Sequence, residues 1–431
     1  MKYIITTTEK LSGQCAMPSS KSETTRALFL AALATGRSEI INPLHCEDTE
    51  TALKVLKNLN IPTVRRNEKL IVEGGGLSVR TKTKSINTGN SGITTRFLLP
   101  VLGLRENAGN SLIFDCGAQM RRRPIAALVN SLNNLGMRIK FLKKHGSCPL
   151  SVRGILTGGI TAVDGITSQY ISALLLSLPL AKKDSVITVK NLNERPYVEM
   201  TLQYLKNLGV SVSHRKTKTT DIFKVKGRQE YRGFRKIIPG DFSSASCFIA
   251  AGCLIKGKTV LRGLDVKSPQ GDKRLIEILR NMGADIRTLK NKIIINGGKN
   301  LKGMPIDGND IPDLLPALAV VGARAEGKTK IYNVPQARLK ETDRIKSMSL
   351  GLRRMGAKVK EQKDGLTIHK SDLKGSTVSG YWDHRTVMAL TVAGMIAEGT
   401  TVISNAEAVN KTFPKFYQLM QGLGGNIRLK K

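Results

Sequence analysis

Six stretches of the chain repeat one arrangement of apolar and polar positions. Each has apolar residues at helical spacing, then a small residue, then a short strand-like run. They read LKVLKNLNIPTV (53–64), LVNSLNNLGMRI (128–139), LQYLKNLGVSV (202–212), LIEILRNMGADI (275–286), LGLRRMGAKV (350–359) and LMQGLGGNI (419–427). Apolar residues three and four apart share one helix face, so each run predicts an amphipathic helix. Asn60, Gly136, Gly209, Gly283, Gly356 and Gly424 stand where a left-handed cap would end it. Successive caps lie 76, 73, 74, 73 and 68 residues apart, which predicts an internal repeat.

A second pattern recurs out of phase with the first. Helices rich in Ala, Gly and Ser lead into β-branched runs, as in RALFLAALATGRSEIIN (26–42), SASCFIAAGCLIKGKTVLRG (244–263), LLPALAVVGARAEGKTKIYN (314–333) and VMALTVAGMIAEGTTVIS (387–404). Looser versions lie at 94–114 and 169–189. Helices apolar on every side predict burial, whereas the charged LxxL helices predict an outer position. The unit is thus an α/β piece of about 70 residues, and 431 residues suit two domains of three units each.

The segments opening the buried helices carry N-cap residue types: Ser19–Ser22, Asn90–Gly92, Thr167–Gln169, Asp241–Ser244, Ile311–Asp313 and Asp383–Arg385. Capping accounts for Asp241 and Ser243. It does not account for Lys21, Arg26, Arg96 and Arg385 in or near the first turns. A cation there opposes the helix dipole unless an anion lies nearby. Helix N-termini furnished in this way predict a site for a multiply charged anion.

Composition narrows the reading. The balance, 40% apolar and 24% charged, is globular. No run approaches the ~18 apolar residues of a membrane span, and the N-terminal segment does not read as a secretory leader. Six cysteines without a CxxC pair and five scattered histidines predict reduced thiols, no metal and a cytoplasmic protein. Sixty-nine Lys and Arg against 33 Asp and Glu leave +36, which attracts anions of every kind.

The motifs PSSKSETTRALFLAAL, GNSGITTRFLLP, RRRPIAALV, DGITSQYISALLL, PGDFSSAS, NDIPD, LKETDRI, DHRTVMAL and KTFP occur in one order along nearly the whole chain. In this the chain resembles the 5-enolpyruvylshikimate-3-phosphate synthases. The resemblance implies a two-domain inside-out α/β barrel of six βαβαββ-type units. One domain would span 19–238, and the other 1–18 plus 239–431. It implies transfer of the enolpyruvyl group of phosphoenolpyruvate to the 5-hydroxyl of shikimate-3-phosphate, with release of phosphate. That is a step of the shikimate pathway toward chorismate and aromatic amino acids. The implied enzyme is a monomer that needs no cofactor, metal, nucleic acid or membrane.

Motif by motif, the resemblance implies that Lys21, Ser22, Arg26, Thr167, Ser168, Gln169, Tyr197, Asp313, Gln336 and Lys340 bind shikimate-3-phosphate. Phosphoenolpyruvate would be bound by Lys21, Asn90, Gly92, Arg123, Gln169, Glu341, Arg344, Arg385 and Lys411. Asp313 would accept the 5-hydroxyl proton, Glu341 would handle protons at the methylene, and Lys21 would assist. The chemistry itself asks for such groups. Substrates bearing two phosphates and two carboxylates call for lysines and guanidinium forks, and the proton transfers call for a base and an acid.

Some positions depart from the family pattern. Ile93 stands where Thr is usual and would tilt Gly92. Glu194 replaces a phosphate-binding Ser and is expected to point away from the phosphate, with Arg195 standing in for it. Gln336 lengthens an Asn, and Trp382 before DHR is unusual. Two other readings compete. A sister enolpyruvyl transferase acting on UDP-N-acetylglucosamine would use a loop cysteine, for which Cys116 is the one candidate. A nucleic-acid-binding protein would suit +36, but the charge is dispersed and only 4% of residues are aromatic.

Overall fold

The structure, a computed structural model, describes residues 1–217 and 219–430. The chain forms two compact units, Lys21–Ile238 and Met1–Ser20 with Pro239–Lys431. The first crossover falls two residues beyond position 18, because Ser20 N–H donates to Pro239 O and Ser19 bridges Gly240. Each unit has its own hydrophobic core.

Both units are built from one folding pattern, most plainly seen at 159–225. Strand Gly159–Asp164 runs parallel to Ser185–Lys190, with a buried helix between them in sequence. The outer helix Arg195–Asn207 follows, and a hairpin of Val212–Lys216 and Thr220–Val225 completes the four-stranded sheet. The same order recurs in the sheets of Ser85–Asn87 and Pro305–Asp307. Six such sheets are present among the described residues.

Three of the six are not contiguous in sequence. Ala34–Ile41 takes its parallel partners from Tyr231–Arg232 and Arg235–Ile237. Gly257–Arg262 takes Gly13–Ala16. Lys2–Thr6 lies antiparallel between Thr400–Ser404 and Ile427–Lys430, filling the place that a hairpin strand holds elsewhere. The N-terminal strands therefore belong to the unit that carries residues 239–431.

The buried helices are α1 (Lys21–Leu33), α2 (Gly92–Val101), α3 (Ser168–Ser177), α4 (Phe242–Leu254), α5 (Leu315–Arg324) and α6 (His384–Met395). Nearly every residue of each is buried. Small residues permit this close packing. A Cβ on Gly252, Gly322 or Gly394 would lie 3.5, 3.0 or 3.0 Å from Cβ of Thr259, Thr329 or Thr401, each on the strand that follows. The six outer helices end as their pattern predicts, with positive φ at Asn60, Gly136, Gly209, Gly283, Gly356 and Gly424.

The two looser repeats also have a physical account. Pro100 lies in the last turn of α2, and ten residues separate that helix from Leu112–Asp115. After α3 a 3₁₀ turn, Leu178–Leu180, takes the place of the glycine. No helix among the described residues is long and apolar enough to cross a membrane.

Candidate active site

Each unit gathers a charged cluster at the N-terminal ends of its buried helices. In the unit holding residues 239–431 the centre is Arg344, 1% exposed. It opens a helix, Arg344–Arg354, that Asp343 caps through Lys346 N–H at 2.9 Å. Its guanidinium spans three carboxylates: Nη1 to Asp313 Oδ1 at 2.7 Å, Nη2 to Glu341 Oε2 at 2.9 Å, and Nε to Asp383 Oδ2 at 2.9 Å. Burying a guanidinium costs free energy unless its donors are matched, and here all three edges meet an anion. Burial would lower the Arg344 pKa, but Asp383, Asp313 and Glu341 raise it above its ordinary value.

Further cations converge on the same carboxylates. Arg385 Nη2 lies 3.4 Å from Asp313 Oδ2, Lys340 Nζ 3.8 Å from Asp313 Oδ1, and Lys411 Nζ 3.5 Å from Glu341 Oε1. Burial favours the neutral form of Asp313, yet Arg385, Lys340 and Arg344 outweigh it and hold the carboxyl well below its ordinary range. Asp272, also buried, is shifted the other way. Burial and the neighbouring Asp313 raise it to about 7, while Ser243 donates to it.

Asp383 does two jobs that the motif alone does not reveal. One oxygen caps α6 through the N–H groups of Arg385 (2.8 Å) and Thr386 (3.1 Å), and the other holds Arg344. Arg385 is fixed in turn, donating to Ser243 O at 2.5 Å. Gln336 is 2% exposed. Its amide nitrogen donates to Asn309 O at 2.7 Å, and its buried Oε1 has no hydrogen-bond partner among the described residues.

In the unit of residues 21–238 the cluster draws on α1, α2 and α3. Lys21 Nζ pairs with Asp48 Oδ2 at 3.0 Å. The cation at this helix start is therefore matched by an acid of the same unit, as Arg385 is by Asp313, and neither by itself implies a ligand. Arg26 and Arg96 differ, since both are 1% exposed and their hydrogen bonds go to neutral groups. Arg26 donates to Thr201 Oγ1, Ser22 O, Ser172 Oγ and Tyr197 O, and lies over the Phe97 ring. Arg96 donates to Gln169 Oε1 at 2.8 Å and to Pro124 O at 3.3 Å. Burial lowers both guanidinium pKa values to about 10.

Gly92 shows why glycine is needed at the start of α2. A Cβ there would come within 2.4 Å of Arg123 Nη1 and 3.0 Å of Arg96 Nη1. Two guanidinium groups thus close on one bare backbone position, and the Arg123 charge further lowers the Arg96 pKa. An anion between them would relieve that repulsion. Asn90 Oδ1 accepts from the N–H groups of Gln119 (3.1 Å) and Met120 (3.4 Å), so its oxygen shapes the neighbouring loop. Ile93 is 5% exposed and packs in the core of its unit.

At the start of α3 the structure reverses one expectation. Glu194, 2% exposed, turns into the cradle instead of away from it. Its Oε2 accepts from Thr167 Oγ1 at 3.2 Å, Ser168 N at 3.1 Å and Ser168 Oγ at 2.7 Å. Arg195, expected to stand in for the missing serine, has an acidic partner of its own. Its guanidinium is bidentate on Asp221 at 2.7 and 2.8 Å, where His214 also binds at 2.7 Å.

Asp48, Asp383, Arg96 and Asp272 complete these clusters but are not among the residues assigned by motif. Arg96 carried a signal of its own as a charge inside an apolar helix, and Asp383 did so as an N-cap type at a helix start. No group of three or more His, Cys, Asp and Glu able to hold a metal occurs among the described residues. All six cysteines are buried and unbridged, and Cys116 is 1% exposed. A buried thiol in the core is a poor nucleophile, which removes the support for the UDP-N-acetylglucosamine reading.

Comparison with known structures defines the class first. The fold matches an EPSP synthase from Acinetobacter baumannii (TM-score 0.83, 24% identity, 100% of both chains). It also matches the enolpyruvyl transferase NikO from Streptomyces tendae (TM-score 0.79, 16% identity, 99% of this chain and 98% of that one). The fold is that of the enolpyruvyl transferases.

Sequence comparison then fixes the family. Residues 5–420 match the family model for EPSP synthase (3-phosphoshikimate 1-carboxyvinyltransferase). A 3-phosphoshikimate 1-carboxyvinyltransferase from Acetivibrio thermocellus is 44% identical over 418 residues, 97% of each chain. One from Methanocaldococcus jannaschii is 40% identical over 433 residues, 99% of each. The chain belongs to the EPSP synthase family.

Proposed function

We propose that the chain transfers the enolpyruvyl group of phosphoenolpyruvate to the 5-hydroxyl of shikimate-3-phosphate, and that the two clusters carry the reaction. One observation supports this most directly. Arg344 grips both Asp313 and Glu341, the two carboxylates that the reaction needs as proton carriers. Arg385, Lys340 and Lys411 stand against the same pair.

Charge neutralisation gives these cations a second use. Before substrate binds, they keep Asp313 ionised and weakly basic. Substrate anions that engage Arg385 and Lys340 would offset those charges and raise the basicity of Asp313 when the 5-hydroxyl arrives. Glu341, held between Arg344 and Lys411, would exchange the proton at the methylene.

In the other cluster, Gly92, Arg123, Lys21 and Gln169 would receive phosphoenolpyruvate, with Asn90 shaping the loop beside it. Ser22, Thr167, Ser168 and Tyr197 would receive shikimate-3-phosphate, with Arg26 bracing α1 against α3. Gln336 would act through its buried Oε1. Proton transfer and enolpyruvyl addition at these groups call on no cofactor. Steady-state assays of Asp313→Asn and Glu341→Gln with both substrates test the assignment, because loss of kcat with little change in KM is its signature.

A further inference from the structure

The cradle at the start of α3 already contains an anion. A single oxygen of Glu194 takes the Thr167 hydroxyl, the Ser168 N–H and the Ser168 hydroxyl, at 3.2, 3.1 and 2.7 Å. These donors and a helix N-terminus are what a phosphate oxygen would use. The carboxylate also favours the charged forms of both buried guanidinium groups, Arg26 and Arg96. Its backbone lies in the left-handed region, with φ of 56°, which is uncommon for a residue other than glycine. Arg195, next in sequence, is committed to Asp221.

We propose that Glu194 is a built-in competitor for the phosphate of the acceptor substrate, seated on Thr167 and Ser168 and displaced when that phosphate binds. The inference rests on the reading that these two residues receive the phosphate of shikimate-3-phosphate. A phosphate and a carboxylate cannot share the same three donors, because both only accept hydrogen bonds from them and their charges repel. Part of the acceptor's binding free energy therefore goes into moving Glu194 out, and the affinity observed is lower than the cradle could give. Weak anions gain too little to displace it. The carboxylate thus sets a threshold that a bare phosphate ion fails and the full acceptor passes.

The test compares the full-length protein with Glu194→Ser and Glu194→Gln by calorimetric titration with shikimate-3-phosphate, shikimate and inorganic phosphate, alongside KM for both substrates. Both variants should bind shikimate-3-phosphate about tenfold or more tightly and show stronger inorganic phosphate binding. Shikimate affinity and KM for phosphoenolpyruvate should stay unchanged. Glu194→Gln keeps the size and an acceptor oxygen, so it answers the question even if Glu194→Ser folds poorly. Unchanged or weaker binding of shikimate-3-phosphate in both variants would overturn the proposal, as would an equal gain for shikimate, the mark of a merely structural role. Ser168→Ala separates this from the underlying reading. If it weakens shikimate-3-phosphate but not shikimate, the phosphate seat stands even should the Glu194 proposal fall. If it affects neither, the seat lies elsewhere and both fail.

Discussion

Arg344 Nε lies 2.9 Å from Asp383 Oδ2, and neither residue is more than 1% exposed. The contact locks a guanidinium on one helix to the carboxylate that caps another, leaving both Nη groups for Asp313 and Glu341. Asp383 is thus a positioning residue for Arg344.

Arg344→Lys keeps the charge but not the fork. One ammonium cannot reproduce the planar three-sided grip, so carboxylates are left buried with weakened pairing. Stability should fall by about 2–4 kcal/mol, measured by chemical denaturation. The kcat/KM for enolpyruvyl transfer should fall by about two orders of magnitude or more, measured at the same pH.

Asp313→Asn and Glu341→Gln each remove a carboxylate proposed as a proton carrier while nearly preserving shape. Each should lower kcat by roughly 100- to 10,000-fold, with KM values changing far less. Near-normal turnover in either variant would show that its carboxylate only balances charge.

Gly92→Ala tests the seat between Arg96 and Arg123. The added methyl would need the Arg123 guanidinium to move, because it would lie 2.4 Å from Nη1. KM for phosphoenolpyruvate should rise by an amount worth about 1–3 kcal/mol, while KM for shikimate-3-phosphate stays close to that of the parent. Equal rises in both would point to a general disturbance of α2.

Asp272 gives a pH signature. Its ordinary value is 3.8, and burial with the neighbouring Asp313 raises it to about 7 in the folded protein. The folded state holds an extra proton between those values. The contribution is therefore fully present below the ordinary pKa and is lost as pH climbs toward 7. Asp272→Asn mimics the protonated form and should remove that loss. Denaturation at pH 5 and pH 8 should show the variant gaining on the parent by on the order of 2–4 kcal/mol at the higher pH. A difference independent of pH would contradict the assignment.

Periodicity made the repeat legible. Six caps at near-constant spacing marked six units, because a helix stop needs a residue that tolerates positive φ, and such residues are easy to see. What periodicity could not show is which strands complete which sheet. Lys2–Thr6 and Gly13–Ala16 pair with strands more than 240 positions away, and no local pattern encodes that.

The site was legible as residue types more than as partnerships. Lys21 and Arg385 stood out as charges at helix starts, but their acids, Asp48 and Asp313, lie elsewhere in the sequence, as does the Asp383 that holds Arg344. Glu194 was misread because charge repulsion was weighed against a bound phosphate. The hydroxyl and N–H donors of Thr167 and Ser168 must be satisfied, and a nearby carboxylate satisfies them.

A phosphate-release assay of the purified protein tests the identity of the acceptor most directly. With phosphoenolpyruvate present, shikimate-3-phosphate should give sustained release of phosphate, unchanged by EDTA, and UDP-N-acetylglucosamine should give none. Release with UDP-N-acetylglucosamine but not with shikimate-3-phosphate would contradict the account.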